Sequence, residues 1–312
     1  MRNISKMTTL ENKFPLLAVE HGCIVSKDAD LTVAYEVELP ELYTVTSAEY
    51  EAIHGYWCKA IKVLPDYSIV HKQDWFIKEQ YKPELHKDDI SFLSRSFERH
   101  FNERPYLKHT SYLYLTKTTK ERNRMQSNFS TLCRGHIIPK ELDRETAEKF
   151  MEATEQFARI MNDSGFIRLR RLTTDEIVGT GDKAGLIERY FSLMPEGDRT
   201  LQDIDLSARE MRIGDNCLCL HTLSDAEDLP GKVATDVRYE KLSTDRSDCR
   251  LSFASPVGLL LPCNHIYNQY VILDNSEENL QKFEKSARNM QSLSRYSRSN
   301  SINREWVRYV AV

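Results

Sequence analysis

The chain has 312 residues, 40% hydrophobic and 29% charged, a composition typical of a globular protein that buries a core. Its formal net charge of −4 gives no general attraction to nucleic acid, so we expect no direct specific nucleic-acid binding. The seven scattered cysteines indicate reduced cytoplasmic thiols, and the most apolar run, Val257–Pro262, is far too short for a membrane span.

The first 80 residues alternate between strand and helix patterns. Strands are predicted over Leu16–Ser26, over Leu31–Leu39, where apolar and polar residues alternate, and over Ser68–Lys78. Between the last two, Ser47 is the expected cap of a helix with apolar residues at helical spacing. Strand, helix and strand over this length predict a βαβ unit with a right-handed crossover.

The next hundred residues continue this alternation. An amphipathic helix is predicted over Asp88–Glu103, with Ile90, Leu93, Phe97 and Phe101 on one face, and an aromatic strand over Tyr106–Thr116. A long helix starts at Asp143, a short strand covers Phe166–Leu172, and another helix runs through Tyr190.

One loop in this region is locally basic. From residue 122 to residue 140 there is no carboxylate, while the basic side chains are Arg122, Arg124, Arg134, His136 and Lys140. A solvated surface loop is the commoner explanation of such a short charge bias, and a patch for phosphate or lipid head groups is the alternative.

The last third of the chain has mostly strand patterns. They cover Arg212–Leu223, Lys232–Leu242, Cys249–Phe253 and Tyr267–Leu273, and a helix follows from Ser276. The fold class predicted is therefore α+β, with mixed sheets, βαβ units, helices packed on them and a strand-rich second part.

Three segments are expected from these patterns. Residues 1–195 form an N-terminal α/β module, residues 196–290 form a strand-rich module, and residues 291–312 form a basic Ser/Arg-rich linker that leads into a next domain. Apolar residues at helical spacing close the linker, and we expect them to start a helix of that domain: Ile302, Trp306, Tyr309 and Val310.

Glycines around Gly179–Gly185, in the stretch EIVGTGDKAGLIERYF, resemble a phosphate-binding loop. A P-loop requires lysine and a hydroxyl residue directly after its last glycine, but Lys183 precedes Gly185 and Leu186 has no hydroxyl. The stretch is therefore expected to be a turn that opens a helix, with a nucleotide-binding enzyme as the alternative.

A second alternative is a metal site. Cys217, Cys219 and His221 would share one face of a strand, and Cys263 and His265 could supply further ligands. Structural zinc sites space their ligands differently, and cysteine is often buried as a small hydrophobe. We therefore expect the three side chains on one strand face, packed against apolar neighbours without zinc.

The densest polar and aromatic cluster is HKQDWF. On a strand, His71, Gln73 and Trp75 lie on one face and Lys72 and Asp74 on the other, so the histidine and the aspartate cannot form an acid–base pair. The cluster is either a strand with satisfied polar groups or an interaction edge anchored by Trp75, since tryptophan is enriched in interface hot spots.

Several long stretches resemble the N-terminal region of the TraG-type ATPases of conjugative transposons: IVSKDADLTVAYEVELPE, KAIKVLP, HKQDWF and NDSGFIRLRRLTTDEI. The resemblance covers nearly the whole chain. It implies the front module of a type IV secretion ATPase, whose RecA-like domain, with its ATP and Mg²⁺, lies C-terminal to residue 312.

The resemblance implies a non-catalytic module without a cofactor of its own. It would dock the ATPase to inner-membrane proteins of a conjugation channel and to sibling subunits, in the cytoplasm and peripheral to the inner membrane. The residues expected to contribute to interaction are His71, Lys72, Gln73, Asp74 and Trp75.

Overall fold

The structure, a computed structural model, is an α+β fold. It describes residues 14–41, 45–81, 91–118, 144–192, 203–207, 210–222, 230–252, 255 and 260–296. The helix predicted around residues 302–310 and the basic loop of residues 122–140 lie outside these ranges.

A seven-stranded sheet forms the centre of the fold. Its strands are β1 (Leu16–Glu20), β2 (Cys23–Ser26), β3 (Leu31–Glu38), β4 (Ser68–Gln80), β5 (Pro105–Lys117), β6 (Arg168–Arg171) and β12 (His265–Ile272). The order is β1-β2-β3-β5-β4-β12, every neighbouring pair is antiparallel, and β6 pairs with the same edge of β3 as β2, further along the strand.

The helices are α1 (Ser47–Ile61), α2 (Phe92–Asn102), α3 (Arg144–Asp163), α4 (Thr174–Val178), α5 (Leu186–Ser192) and α6 (Ser276–Tyr296). The cap of α1 is Thr46 and not Ser47, because the Thr46 hydroxyl accepts the Glu49 amide while the Glu49 carboxylate accepts the Thr46 amide. This reciprocal capping box satisfies two N–H groups that the helix itself cannot pair.

The predicted βαβ unit is present in a split form. β3 and β4 are both antiparallel to β5, which lies between them, so they run parallel to each other but are not neighbours. When α3 and β6 are added, the elements follow each other along the chain in the order β3-α1-β4-β5-α3-β6. In the sheet the four strands lie in the order β6-β3-β5-β4. This is the ferredoxin-like arrangement.

Helices α1 and α3 cover one face of this sheet, called here the helical face. Phe150, Phe157 and Met161 of α3 are completely buried, and Trp57 of α1 meets Phe157 edge-on with ring centroids 5.8 Å apart. The strands contribute alternate residues, Val33, Tyr35, Val37, Val70, Leu113 and Leu115, to the same cluster. Period-2 strands and period-3.6 helices thus bury their apolar sides together.

The opposite face, called here the second face, has a separate core. Ala34, Trp75 and Tyr112 of the sheet pack against Ile177 of α4 and Leu186 of α5. The connection between these two short helices is the Gly179–Gly185 turn.

The strand-rich part is less regular than predicted. Residues 204–218 form a three-stranded sheet, β7 (Ile204–Leu206), β8 (Met211–Ile213) and β9 (Asn216–Leu218), and β10 (Val237–Arg238) pairs with β11 (Arg250–Leu251). The long strand predicted over Arg212–Leu223 is broken at Gly214, which has a positive φ of 57°.

A boundary near residue 196 does not separate two sheets. β12 pairs with β4 over eight residues, from His265 opposite Phe76 to Ile272 opposite Ile69. The segment before it also contacts α1, since Tyr50 Oη donates to the Arg250 carbonyl at 3.2 Å.

Candidate interaction surface

The HKQDWF segment lies in the middle of β4, between β5 and β12. His71, Gln73 and Trp75 project to the second face, and Lys72 and Asp74 to the helical face, as the alternation predicts. The sequence did not predict the contacts of this segment with β12. Residues 265–272 are distant from β4 in the chain, and the residue pattern of a strand does not indicate which other strand it pairs with.

On the second face, Gln73 is the centre of a hydrogen-bond network. Its Oε1 accepts the indole N–H of Trp75 at 2.7 Å and the hydroxyl of Tyr114 at 3.0 Å, while its Nε2 donates to Asn268 Oδ1 at 2.8 Å. His71 Nε2 lies 2.8 Å from the same Asn268 oxygen, which makes it the donor. The polar atoms in this region are therefore used inside the protein.

Burial changes the acidity of this network. Desolvation lowers the pKa of His71, against a smaller opposing effect of its Asn268 hydrogen bond. Desolvation raises the pKa of Tyr114 strongly. Both side chains are therefore neutral near pH 7.

Trp75 is not an exposed anchor. Its side chain is 1% exposed and lies edge-on to Tyr112, with ring centroids 5.3 Å apart, under the guanidinium of Arg189. The expectation that Trp75 anchors a partner is therefore corrected: its apolar surface is already covered by α5 and the sheet.

On the helical face, the buried Asp74 carboxylate binds two partly exposed basic side chains. It contacts Lys72 Nζ and lies 2.9 Å from His109 Nε2. Burial by itself would raise the pKa of Asp74, but the His109 hydrogen bond and the Lys72 charge outweigh it and lower the pKa to about 2. The five predicted residues therefore act mainly within the sheet.

Among the described residues, α2, at the end of the β4–β5 hairpin, has several strongly exposed apolar side chains. Phe92 is 86% exposed, Leu93 78%, Phe97 63% and Phe101 45%. Leu93, Phe97 and Phe101 follow each other at helical spacing on one face of α2 and are called here the α2 stripe. The sequence predicted the helix and its apolar face, but α2 does not pack on the sheet as expected for the amphipathic helices, since it holds no buried residue.

The Gly179–Gly185 turn is tightly closed on itself. A Cβ on Gly185 would lie 2.2 Å from the Val178 carbonyl carbon, and one on Gly179 would lie 2.6 Å from the Gly185 amide nitrogen. The Gly185 amide donates to Glu188 Oε2 at 3.1 Å, so this N–H is already used. These contacts explain Gly179 and Gly185 through chain packing, and the stretch is the turn that the sequence predicts.

The three candidate metal ligands are arranged differently from the expectation. Only Cys217 lies in a strand, β9, and Cys217, Cys219 and His221 are all exposed instead of packed against apolar neighbours. Within the described ranges, no group of three or more His, Cys, Asp or Glu side chains is placed to hold a metal ion. In the same ranges, no helix is both long and apolar enough to cross a membrane.

Comparison with protein families gives a match to part of the chain. Residues 3–55 match a family described as "Domain of unknown function, B. Theta Gene description (DUF3875)". The matched part includes β1, β2, β3 and the first half of α1. No curated protein matches the chain.

Proposed function

We propose that this chain is the non-catalytic N-terminal assembly module of a conjugative-transfer ATPase of the type IV secretion class. It contacts inner-membrane components of the transfer channel and sibling subunits from the cytoplasmic side. ATP and Mg²⁺ bind in a RecA-like domain that follows it in the family that the sequence resembles.

The observation that carries the proposal is the α2 stripe. Large apolar side chains exposed together on one helix face are uncommon on a surface without a partner, and they mark interaction sites. α2 lies in the connection between β4 and β5, which are both 13 residues long, so the stripe lies away from the core of the helical face.

The residues around the stripe indicate the kind of partner surface that would fit it. Arg99 and Arg104 are exposed on or beside α2, and Glu103 already pairs with Arg99 at 2.9 Å. Aromatic centres with arginine rims are typical of protein interfaces. The partner surface that fits is an apolar groove with an acidic rim on a channel component.

The test is conjugative transfer by the cell that encodes the chain. Phe97→Ser removes the most central side chain of the stripe and should lower transfer at least tenfold while the purified protein keeps its melting temperature. Arg95→Ser is the matched control, because Arg95 is exposed and two residues away, on the opposite side of the helix.

The proposal fails if deletion of the gene leaves transfer unchanged. Equal transfer by Phe97→Ser and the unsubstituted protein would reject the α2 stripe as the docking site.

A further inference from the structure

Among the described residues, the outer strands of the central sheet are β1, β6 and β12, and they differ in how their edges are protected. β6 has four residues, three of them arginines. β1 is five residues long, has a bulge between Leu16 and Ala18, and ends in the charged Glu20. Short strands, bulges and charges are the features with which proteins prevent strands from pairing at an edge.

β12 has none of these features. Its eight residues, HIYNQYVI, contain no charge and no proline, and its eight pairs with β4 follow without a register shift. β4 occupies only one side of the strand, and within the described residues no other strand pairs with β12.

Several side chains of β12 are also exposed to solvent. Tyr270 is 60% exposed, Ile272 50% and Val271 38%, and Gln269 is exposed beside them. α6 follows directly at Ser276, and its own apolar residues Leu280 and Phe283 are 61% and 66% exposed. In the described part of the chain, α6 therefore does not cover the edge.

We propose that β12 pairs antiparallel with β12 of a second copy of this chain, so that the two central sheets form one continuous sheet. Within the proposed function, this pairing would be the contact between sibling subunits. The evidence for it is the unprotected edge of β12 and not the α2 stripe. The contact is distinct from the α2 stripe, which lies at the end of the β4–β5 hairpin.

The sequence of the strand suits a two-fold axis at Gln269. Such an axis perpendicular to the sheet places residues of the same face opposite each other, because cross-strand partners share a face. It pairs Ile266 with Ile272 and Tyr267 with Val271, which are apolar and aromatic–β-branched pairs of the kind that stabilise sheets. Gln269 would face Gln269 of the second copy.

We choose a second copy of this chain as the partner of β12 because β12 has no charged side chain that would repel its own sequence. Like charges directly opposite each other destabilise an antiparallel pair, and no register of β12 against itself creates one. Main-chain hydrogen bonds supply affinity in strand addition, while matched side-chain pairs supply the register.

The test is sedimentation velocity of the full 312-residue chain as a function of concentration. The unsubstituted chain should dimerise, and Gln269→Lys should weaken dimerisation at least tenfold because it places two ammonium groups face to face. Gln156→Lys is the control, since Gln156 is an exposed residue of α3, outside β12, and the substitution is the same.

Hydrogen exchange gives an independent readout. Amides of residues 265–272 should exchange more slowly as the concentration rises through the dimerisation range, since pairing protects them. Protection of the outward-facing amides that does not depend on concentration would show a segment of the same chain on the edge, and would overturn the proposal.

Two further results would overturn it. One is a chain that stays monomeric at every concentration at which it is soluble. The other is a dimer that survives Gln269→Lys but is lost in Phe97→Ser, which would place the contact on the α2 stripe. The dimerisation experiment uses the isolated chain, while the proposed function is tested by conjugative transfer in cells. A negative result in one can therefore be told apart from a negative result in the other.

Discussion

The indole N–H of Trp75 donates to Gln73 Oε1 at 2.7 Å, and both side chains are buried. The two residues are two positions apart on β4 and therefore lie on the same face of the sheet. Their contact makes a segment that looks like a recognition motif in the sequence into part of the second-face core.

Trp75→Ala should destabilise the fold by about 3–5 kcal/mol, the usual cost of removing a large buried aromatic side chain. Urea unfolding followed by circular dichroism measures the change. Phe92→Ala is the control, because Phe92 is 86% exposed and its loss should stay within about 0.5 kcal/mol. Equal effects of the two substitutions would show that Trp75 is not part of the core.

Asp74 should make stability depend on pH in the acid range. Its pKa is about 2 in the folded protein, below the ordinary value of 3.8 for an aspartate, so the folded state binds the proton more weakly. The contribution, about 2 kcal/mol, is fully present above about pH 4 and is lost as the pH falls towards 2.

The measurement compares unfolding free energies of the protein and Asp74→Asn between pH 2 and pH 6. The difference between them should shrink as the pH falls, since the other carboxylates titrate equally in both. A difference that stays constant over this range would contradict the low pKa.

Gly185→Ala should destabilise the protein by about 1–3 kcal/mol, because the new Cβ overlaps the Val178 backbone, which cannot move aside like a flexible side chain. Gly181→Ala is the matched control in the same turn. A Cβ there meets no atom within 4 Å, so its melting temperature should be unchanged or slightly higher.

Mg-ATP should bind the Gly179–Gly185 turn no more tightly than about 10 μM, or about 7 kcal/mol. The physical reason is that Thr180 N donates to the Lys183 carbonyl at 2.9 Å and Gly185 N to Glu188, so these amides are not directed at a phosphate. Isothermal titration calorimetry on the full chain measures it, and tighter binding that Gly185→Ala abolishes would reverse the interpretation.

The sequence was a good guide to local structure. Alternation and helical spacing predicted β3, β4, β5, α3 and α6, since these patterns follow from the backbone geometry of each element alone. It was a poorer guide in residues 210–251, where strands of two or three residues are too short to show a period.

Whether a single side chain is buried or exposed could be decided only from the fold. HKQDWF was equally consistent with an interaction edge and with a satisfied strand, because burial depends on what packs over a strand. α5 covers Trp75, while Phe97 of α2 is 63% exposed and contacts only the ring of its helix neighbour Phe101 among the aromatic contacts described, although both residues are aromatic.

By itself, the sequence determined the α+β class, the alternating faces of β4 and the failure of the glycine stretch to match a P-loop, since each depends on local spacing. Only the tertiary structure decided that β5 separates β3 from β4, that β12 completes the sheet, and that the α2 stripe is exposed. The reason is that strand order and burial arise from contacts between residues distant in the chain, and no local period encodes which distant surfaces meet.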